Sequence, residues 1–146
     1  MWRTASASHA NYAEIASHAG GTLFARASSM TRRRIIAPGM VWALSRRTTR
    51  RHFILNPDEA RQLERAYWYC LGHAAALHGI VVHAGCLMST HSHEVVTDVR
   101  GELSLFLQTF HRNLALCAKA IRGWPGEVFD KRSAGAHELL TPEATI

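Results

Sequence analysis

A chain of 146 residues and 16.2 kDa, 47% hydrophobic and 19% charged, has the size and composition of one compact domain with a real core. No stretch holds the ~18 to 20 consecutive apolar residues of a membrane-spanning helix, since the longest mostly apolar run, Gly79 to Met88, is broken by His83; no membrane is expected as a partner. Seventeen Lys and Arg against eleven Asp and Glu leave a formal charge of +6, and fifteen of the seventeen are Arg, the side chain suited to bidentate phosphate contacts and to stacking on bases.

The placement of that charge is more informative than its total. Residues 1 to 56 hold nine Arg and one acid, Glu14, whereas residues 57 to 146 hold eight basic and ten acidic residues. The dense part, Thr31 to Arg51, carries Arg32, Arg33, Arg34, Arg46, Arg47, Arg50 and Arg51 with no acid, a patch that suits a polyanion such as nucleic acid. Cys70, Cys86 and Cys117 are odd in number and lack C-x-x-C spacing, which argues against a disulfide framework or a zinc ribbon. A reducing, cytoplasmic setting is the expectation.

In chain order, residues 1 to 29 are rich in Ala, Ser and Gly and show no sustained apolar period. They read as a leader, disordered or produced by a start placed too far upstream, because Met30-Thr-Arg-Arg-Arg would serve as a beginning. The domain proper is expected over residues 30 to 146. Pro38-Gly39 signals a turn, Met40 to Ser45 a first strand, and Asn56-Pro57-Asp58-Glu59 a helix start with capping Asn, first-position Pro and early acids. Leu63, Ala66, Tyr67, Cys70, Leu71, Ala74 and Leu77 recur at three and four, which predicts a helix from Pro57 to His78 stopped by Gly79. Ile80 to Met88 and His93 to Val99 read as a hairpin joined at Ser89-Thr90. Glu102 opens a second amphipathic helix ended by Gly123 and Pro125, and Glu127 to Phe129 with Ala136 to Leu140 supply a last, irregular strand. Strand, helix, strand, strand, helix, strand is the split βαβ order of the ferredoxin-like superfold, an α+β fold with two helices on one face of a small antiparallel sheet. That superfold hosts many functions.

His91-Ser92-His93 is the sharpest chemical feature. Alternate residues of a strand share a face, so the two imidazoles lie together with Cα atoms about 6.6 Å apart, a preorganised half-site for a divalent cation. By themselves two histidines at this spacing could equally be surface or satisfied side chains. Tyr67 and Tyr69 fall at helical spacing and read as core or rim packing; Trp42 and Trp68 read the same way, though either could stack on a base. His73, His78, His83 and His111 form no pattern.

The run Cys86-Leu87-Met88-Ser89-Thr90-His91-Ser92-His93-Glu94-Val95-Val96 resembles the signature of single-tyrosine HUH transposases of the insertion-sequence and REP-associated type. Pro38-Gly39, Ser45-Arg46 and Leu103-Ser104-Leu105-Phe106-Leu107-Gln108 extend the resemblance over about Met30 to Ile146. It implies a metal-dependent DNA strand transferase acting on single-stranded or hairpin DNA ends, often as a homodimer, for which the hairpin edge is available. His91 and His93 match the family's ligands for Mg²⁺ or Mn²⁺, which polarises a phosphate for attack by a tyrosine hydroxyl. The basic surface would carry the DNA.

Two departures stand out. Ser92 and Glu94 replace apolar residues, on the side of the strand away from the histidines. The family's nucleophilic tyrosine lies on a helix after the last strand, where this chain has only Thr141-Pro142-Glu143-Ala144-Thr145-Ile146, a helix beginning without a body. The expectation is therefore a domain incomplete at its C-terminus and inactive alone. Two alternatives stay open: a non-catalytic nucleic-acid-binding ferredoxin-like module, and a structural or dimerising protein without DNA affinity. For the metal, hairpin pairing would set Cys86 opposite His93, and a thiolate with two imidazoles suits Zn²⁺ better than Mg²⁺.

Overall fold

The computed structural model describes residues 35–132 and 134–139; the leader, Arg32 to Arg34 and the Thr141 to Ile146 segment lie outside them. Strands β1 (Met40–Arg47), β2 (Ile80–Met88), β3 (His91–Asp98) and β4 (Gly135–Glu138) and helices α1 (Gln62–His78) and α2 (Leu103–Arg122) follow in the order β1, α1, β2, β3, α2, β4. The strands form one antiparallel sheet of order β2-β3-β1-β4, the split βαβ topology the sequence predicts. Neither helix of the described residues is long and apolar enough to cross a membrane.

Alternation divides each strand between two faces. Trp42 and Leu44 of β1 and Ser92, Glu94, Val96 and Asp98 of β3 are buried beneath the helices, alongside Leu63, Tyr67, Cys70, Leu71 and Ala74 of α1 and Leu103, Phe106, Phe110, Leu114 and Ala118 of α2. Leu77 and Trp68 of α1 are exposed rather than packed inward, and Trp42 is core. Across the helix pair Cys70 Sγ and Cys117 Sγ stand 3.9 Å apart as free thiols, and burial with the Cys117 neighbour pushes Cys70 up to about 12.

Several boundaries differ from expectation, among them β3, which spans His91–Asp98 rather than His93 to Val99. α1 begins at Gln62, not at Pro57: the Asp58 carboxylate accepts from the Gln62 and Leu63 amides (2.6 and 3.0 Å), and Arg61 takes a left-handed φ of 52° between them. An aspartate satisfies orphan amides best from just outside a helix, so Asp58 ends up as the cap rather than in the first turn. Asn56 caps nothing, and its side chain accepts from Ser89 Oγ of the hairpin turn at 2.9 Å. β1 runs on through Arg47, because the Ser45, Arg46 and Arg47 positions pair with His93, Ser92 and His91 of β3. At the other end of the chain β4 is shorter than expected, and the Glu127 to Phe129 stretch contributes one bridge, Thr48 to Phe129.

Thr48 fixes the end of β1 to the hairpin turn. Fully buried, it donates its amide to the Thr90 carbonyl (2.8 Å), and its hydroxyl sits 2.7 and 3.0 Å from the His52 and Thr90 carbonyls. The Leu55 amide adds a bond to Ser89 O at 3.1 Å. A short 3-10 turn, Thr49–Arg51, is thereby held beside the start of β3.

Candidate metal and nucleic-acid site

Because Ser92 and Glu94 point into the core, His91 and His93 point out of the open sheet face. Register sets them in two rows: Met88, His91 and Arg47 across β2, β3 and β1, and Cys86, His93, Ser45 and Gly135 across all four strands. The imidazole centroids are 4.9 Å apart with the rings nearly perpendicular (88°). Thr90 Oγ1 lies 3.0 Å from His91 Nδ1 and fixes that ring. Desolvation, then the His93 and Arg47 neighbours, holds His91 below the usual imidazole value, which favours the neutral form able to bind a cation.

The two imidazoles thus have the donor chemistry and the shared face of half a divalent-metal site. The Cys86 side chain is exposed opposite His93, as the hairpin pairing predicts. Among the described residues, however, no group of three or more His, Cys, Asp or Glu side chains comes together to hold a metal. A cation on His91 and His93 would complete its shell from water or phosphate oxygens, the preference of Mg²⁺ and Mn²⁺.

The arginines fall into three groups. Arg47 and Arg51 line, with Thr90 and His91, a cleft of about 180 Å³ beside the first histidine of the pair. Arg50 lines a broader depression with Thr49, Glu127, Asp130, Lys131 and Arg132. Arg50 and Arg51 adopt left-handed φ values of 47° and 56°, a conformation costing about 1 kcal/mol or more per residue that concentrates at functional sites. Arg46, on the helix-side face of β1, turns inward instead: its guanidinium donates to the Asp130 carbonyl (2.8 Å) and the Arg132 carbonyl and stacks over Phe129 at 5.4 Å. Burial lowers its pKa and Asp130 partly restores it.

Several participants escaped the sequence reading. Lys131 and Arg132 join the basic surface from the segment after α2, far along the chain from β1, and nothing local in the sequence signals that return. Behind the histidines, the Tyr67 hydroxyl donates to Glu94 Oε1 at 3.0 Å; burial pushes Glu94 up to about 7 against the Ser92 and Tyr67 hydroxyls, and raises the Tyr67 phenol as well. Gly85, opposite Glu94, makes room for that bond, since a Cβ there would stand 2.8 Å from Tyr67 Oη. His111 packs between Phe110 and Phe129 with its Nε2 fully buried, although the residue as a whole is half-buried, and desolvation with Arg46 nearby lowers it to about 3. His78 ties α1 to α2 through Glu102 (3.0 Å) and Thr109 (2.9 Å), and His83 meets Thr97 at 2.7 Å.

No family model matches the chain, and no curated protein does. Among solved structures it is similar to a REP-associated tyrosine transposase bound to a REP hairpin, with a TM-score of 0.57 at 14% identity over 77% of this chain. That alignment covers 64% of the transposase, so this chain spans less than two thirds of its length. It is also similar to a candidate transposase from Deinococcus radiodurans R1, with a TM-score of 0.55 at 19% identity, covering 80% of this chain and 89% of that one. At these identities the shared property is the fold. The described residues, with their two helices on one face of a β2-β3-β1-β4 sheet and the histidine pair on the other, have a transposase-like fold.

Proposed function

We propose that this chain is an HUH-type domain that binds single-stranded or hairpin DNA across the end of the sheet where His91 and His93 emerge. The observation that carries the proposal is a cleft in which Arg47 and Arg51 meet His91, with the His93 imidazole beside His91 on the same open face. Mg²⁺ or Mn²⁺ on the two histidines would supply Lewis-acid polarisation of a phosphate. The chain's own part is to place that phosphate: Arg47 and Arg51 offer guanidinium forks to its oxygens, and Thr90 orients the His91 ring. The hairpin in the similar transposase's structure supports DNA as the partner class.

Addition of Mn²⁺ is expected to broaden the NMR signals of His91 and His93 and leave those of His73 sharp, and single-stranded DNA binding is expected to fall steeply with salt. Replacing Arg47, Arg50 and Arg51 by Ala should flatten that salt dependence. Broadening spread over all ten histidines would remove the metal site; DNA affinity without selective broadening would favour the non-catalytic module. Strand transfer also needs a nucleophile, and Tyr67 is buried on the helix side of the sheet while Tyr69 is exposed on α1. Neither reaches a phosphate on the open face. Incubation with DNA ends and Mn²⁺ should therefore yield no denaturant-resistant adduct on Tyr67 or Tyr69, detectable by mass spectrometry.

A further inference from the structure

Arg47 lines two clefts. On one side are Arg51, Thr90 and His91; on the other, a cleft of about 250 Å³ is bounded by Ser45, Arg46, Arg47, Asp130, Arg132 and Gly135. The second cleft adjoins the His93 row, because Ser45 pairs with both His93 and Gly135. Its Gly135 edge packs closely on β1: a Cβ on Gly135 would sit 2.6 Å from Ser45 Oγ. Arg47, which pairs with His91, stands between the two clefts and makes them neighbours across the end of the sheet.

The far wall is held in place from inside. The Arg46 guanidinium donates to the carbonyls of Asp130 and Arg132, and the Asp130 amide donates back to Arg47 O at 3.2 Å. Asp130 faces Arg46 electrostatically and offsets that half-buried cation, although its carboxylate also lines the cleft with Arg47 and Arg132. A loop so fastened presents Arg132 without the loss of backbone freedom that a loose loop would suffer on binding.

We infer that Arg132 and Arg47 form a second phosphate seat, adjacent to the phosphate at His91, and that Arg46 is a positioning residue that holds the Arg132 loop rather than a DNA contact. The inference rests on the DNA-binding function proposed above and extends it by a named seat. A single strand would then run over the sheet end past Arg51, Arg47 and Arg132 in turn.

The test is fluorescence anisotropy of a labelled oligothymidylate with the full chain over a range of NaCl concentrations. Arg132→Ala is expected to reduce the slope of log affinity against log salt by about 0.7 to 0.9, the increment for one phosphate, with the thermal melt unchanged; Arg132→Lys should keep the slope. Arg46→Met keeps an unbranched side chain of comparable length but removes the guanidinium, and with it both the fork and the stack on Phe129. It should lower the melting temperature and reduce the slope by the same single increment, and the double variant Arg46→Met/Arg132→Ala should lose no more than Arg132→Ala alone. A wild-type slope in folded Arg132→Ala overturns the second seat, and a further full increment lost in the double variant overturns the positioning role of Arg46. If Arg46→Met fails to fold, the Arg132→Ala arm still decides the seat. Absence of binding by the unaltered chain would instead overturn the DNA-binding proposal, and this inference with it.

Discussion

Asp98→Ala is expected to cost about 2 to 5 kcal/mol, combining a lost helix cap of ~1 to 2 with backbone donors left unmade at ~1 to 3. Asp98 is the last residue of β3 and is fully buried, and its carboxylate serves the whole entry to α2. Oδ1 accepts from the amides of Arg100, Gly101 and Glu102 (3.2, 2.7 and 3.0 Å), and Oδ2 accepts from Leu103 (2.8 Å). Alanine strips all four at once, and at the buried Leu103 amide water cannot replace the lost bond. Asp98→Asn separates charge from geometry, because its carbonyl oxygen can keep the first three bonds while its amide group meets the Leu103 N–H donor to donor. Urea denaturation should rank wild type above Asn above Ala, with the Asn variant losing about 1 to 2 kcal/mol. Equal stability of Asn and Ala variants would mean that the Leu103 bond alone matters.

Stability should also fall on both sides of a mildly acidic plateau, driven by two buried groups of opposite sign. Glu94 titrates near 7 when folded against a reference of 4.5, so the folded state holds its proton more tightly. Stability is then full below about pH 4.5 and declines as pH rises through 7, by about 3 kcal/mol at 1.36 kcal/mol per unit. His111 is lowered to about 3 from 6.5, so the unfolded chain takes up its proton first and stability is lost as pH falls below 6.5 toward 3. Between 4.5 and 6.5 the two slopes oppose each other. Denaturant midpoints followed across pH should show Glu94→Gln more stable than wild type above pH 7 and indifferent to the alkaline side, its amide donating to the Tyr67 or Ser92 oxygen. His111→Phe should flatten the acid side. An alkaline decline that persists in Glu94→Gln would assign it to another group.

What the sequence disclosed is what depends on period and order. The apolar spacing of α2, the alternation of β3 and the Gly79 and Gly123 stops are local signals, and from them the element order and the outward histidine pair follow. Its failures concern side chains whose partners propensity does not specify, some a few residues away and others across the domain. Asp58 and Asp98 reach amides four and five residues on, and propensity places such caps only approximately. Arg46 looks like any member of a basic string until the Asp130 to Arg132 carbonyls arrive from the far end of the domain. Glu94 reads as a departure from an apolar pattern because its justification, the Tyr67 hydroxyl over Gly85, lies on another helix. The charge count likewise located a basic segment but could not distinguish the arginines that line the histidine cleft from the one that faces the core.

The two-residue turn at Ser89-Thr90 has a consequence for how this domain can change over generations. Insertions in surface turns are ordinarily cheap, yet here His91 and His93 outside and Ser92 and Glu94 inside are opposite phases of one strand. Slipping β3 by a single position would drive two imidazoles into the core and expel a carboxyl onto the open face. Single-residue insertions and deletions in this turn should therefore be purged as severely as core substitutions, while point replacements can vary the chemistry of either face independently. A lineage is free to retune the metal half-site or the core beneath it, but the length of the hairpin is inherited as one unit.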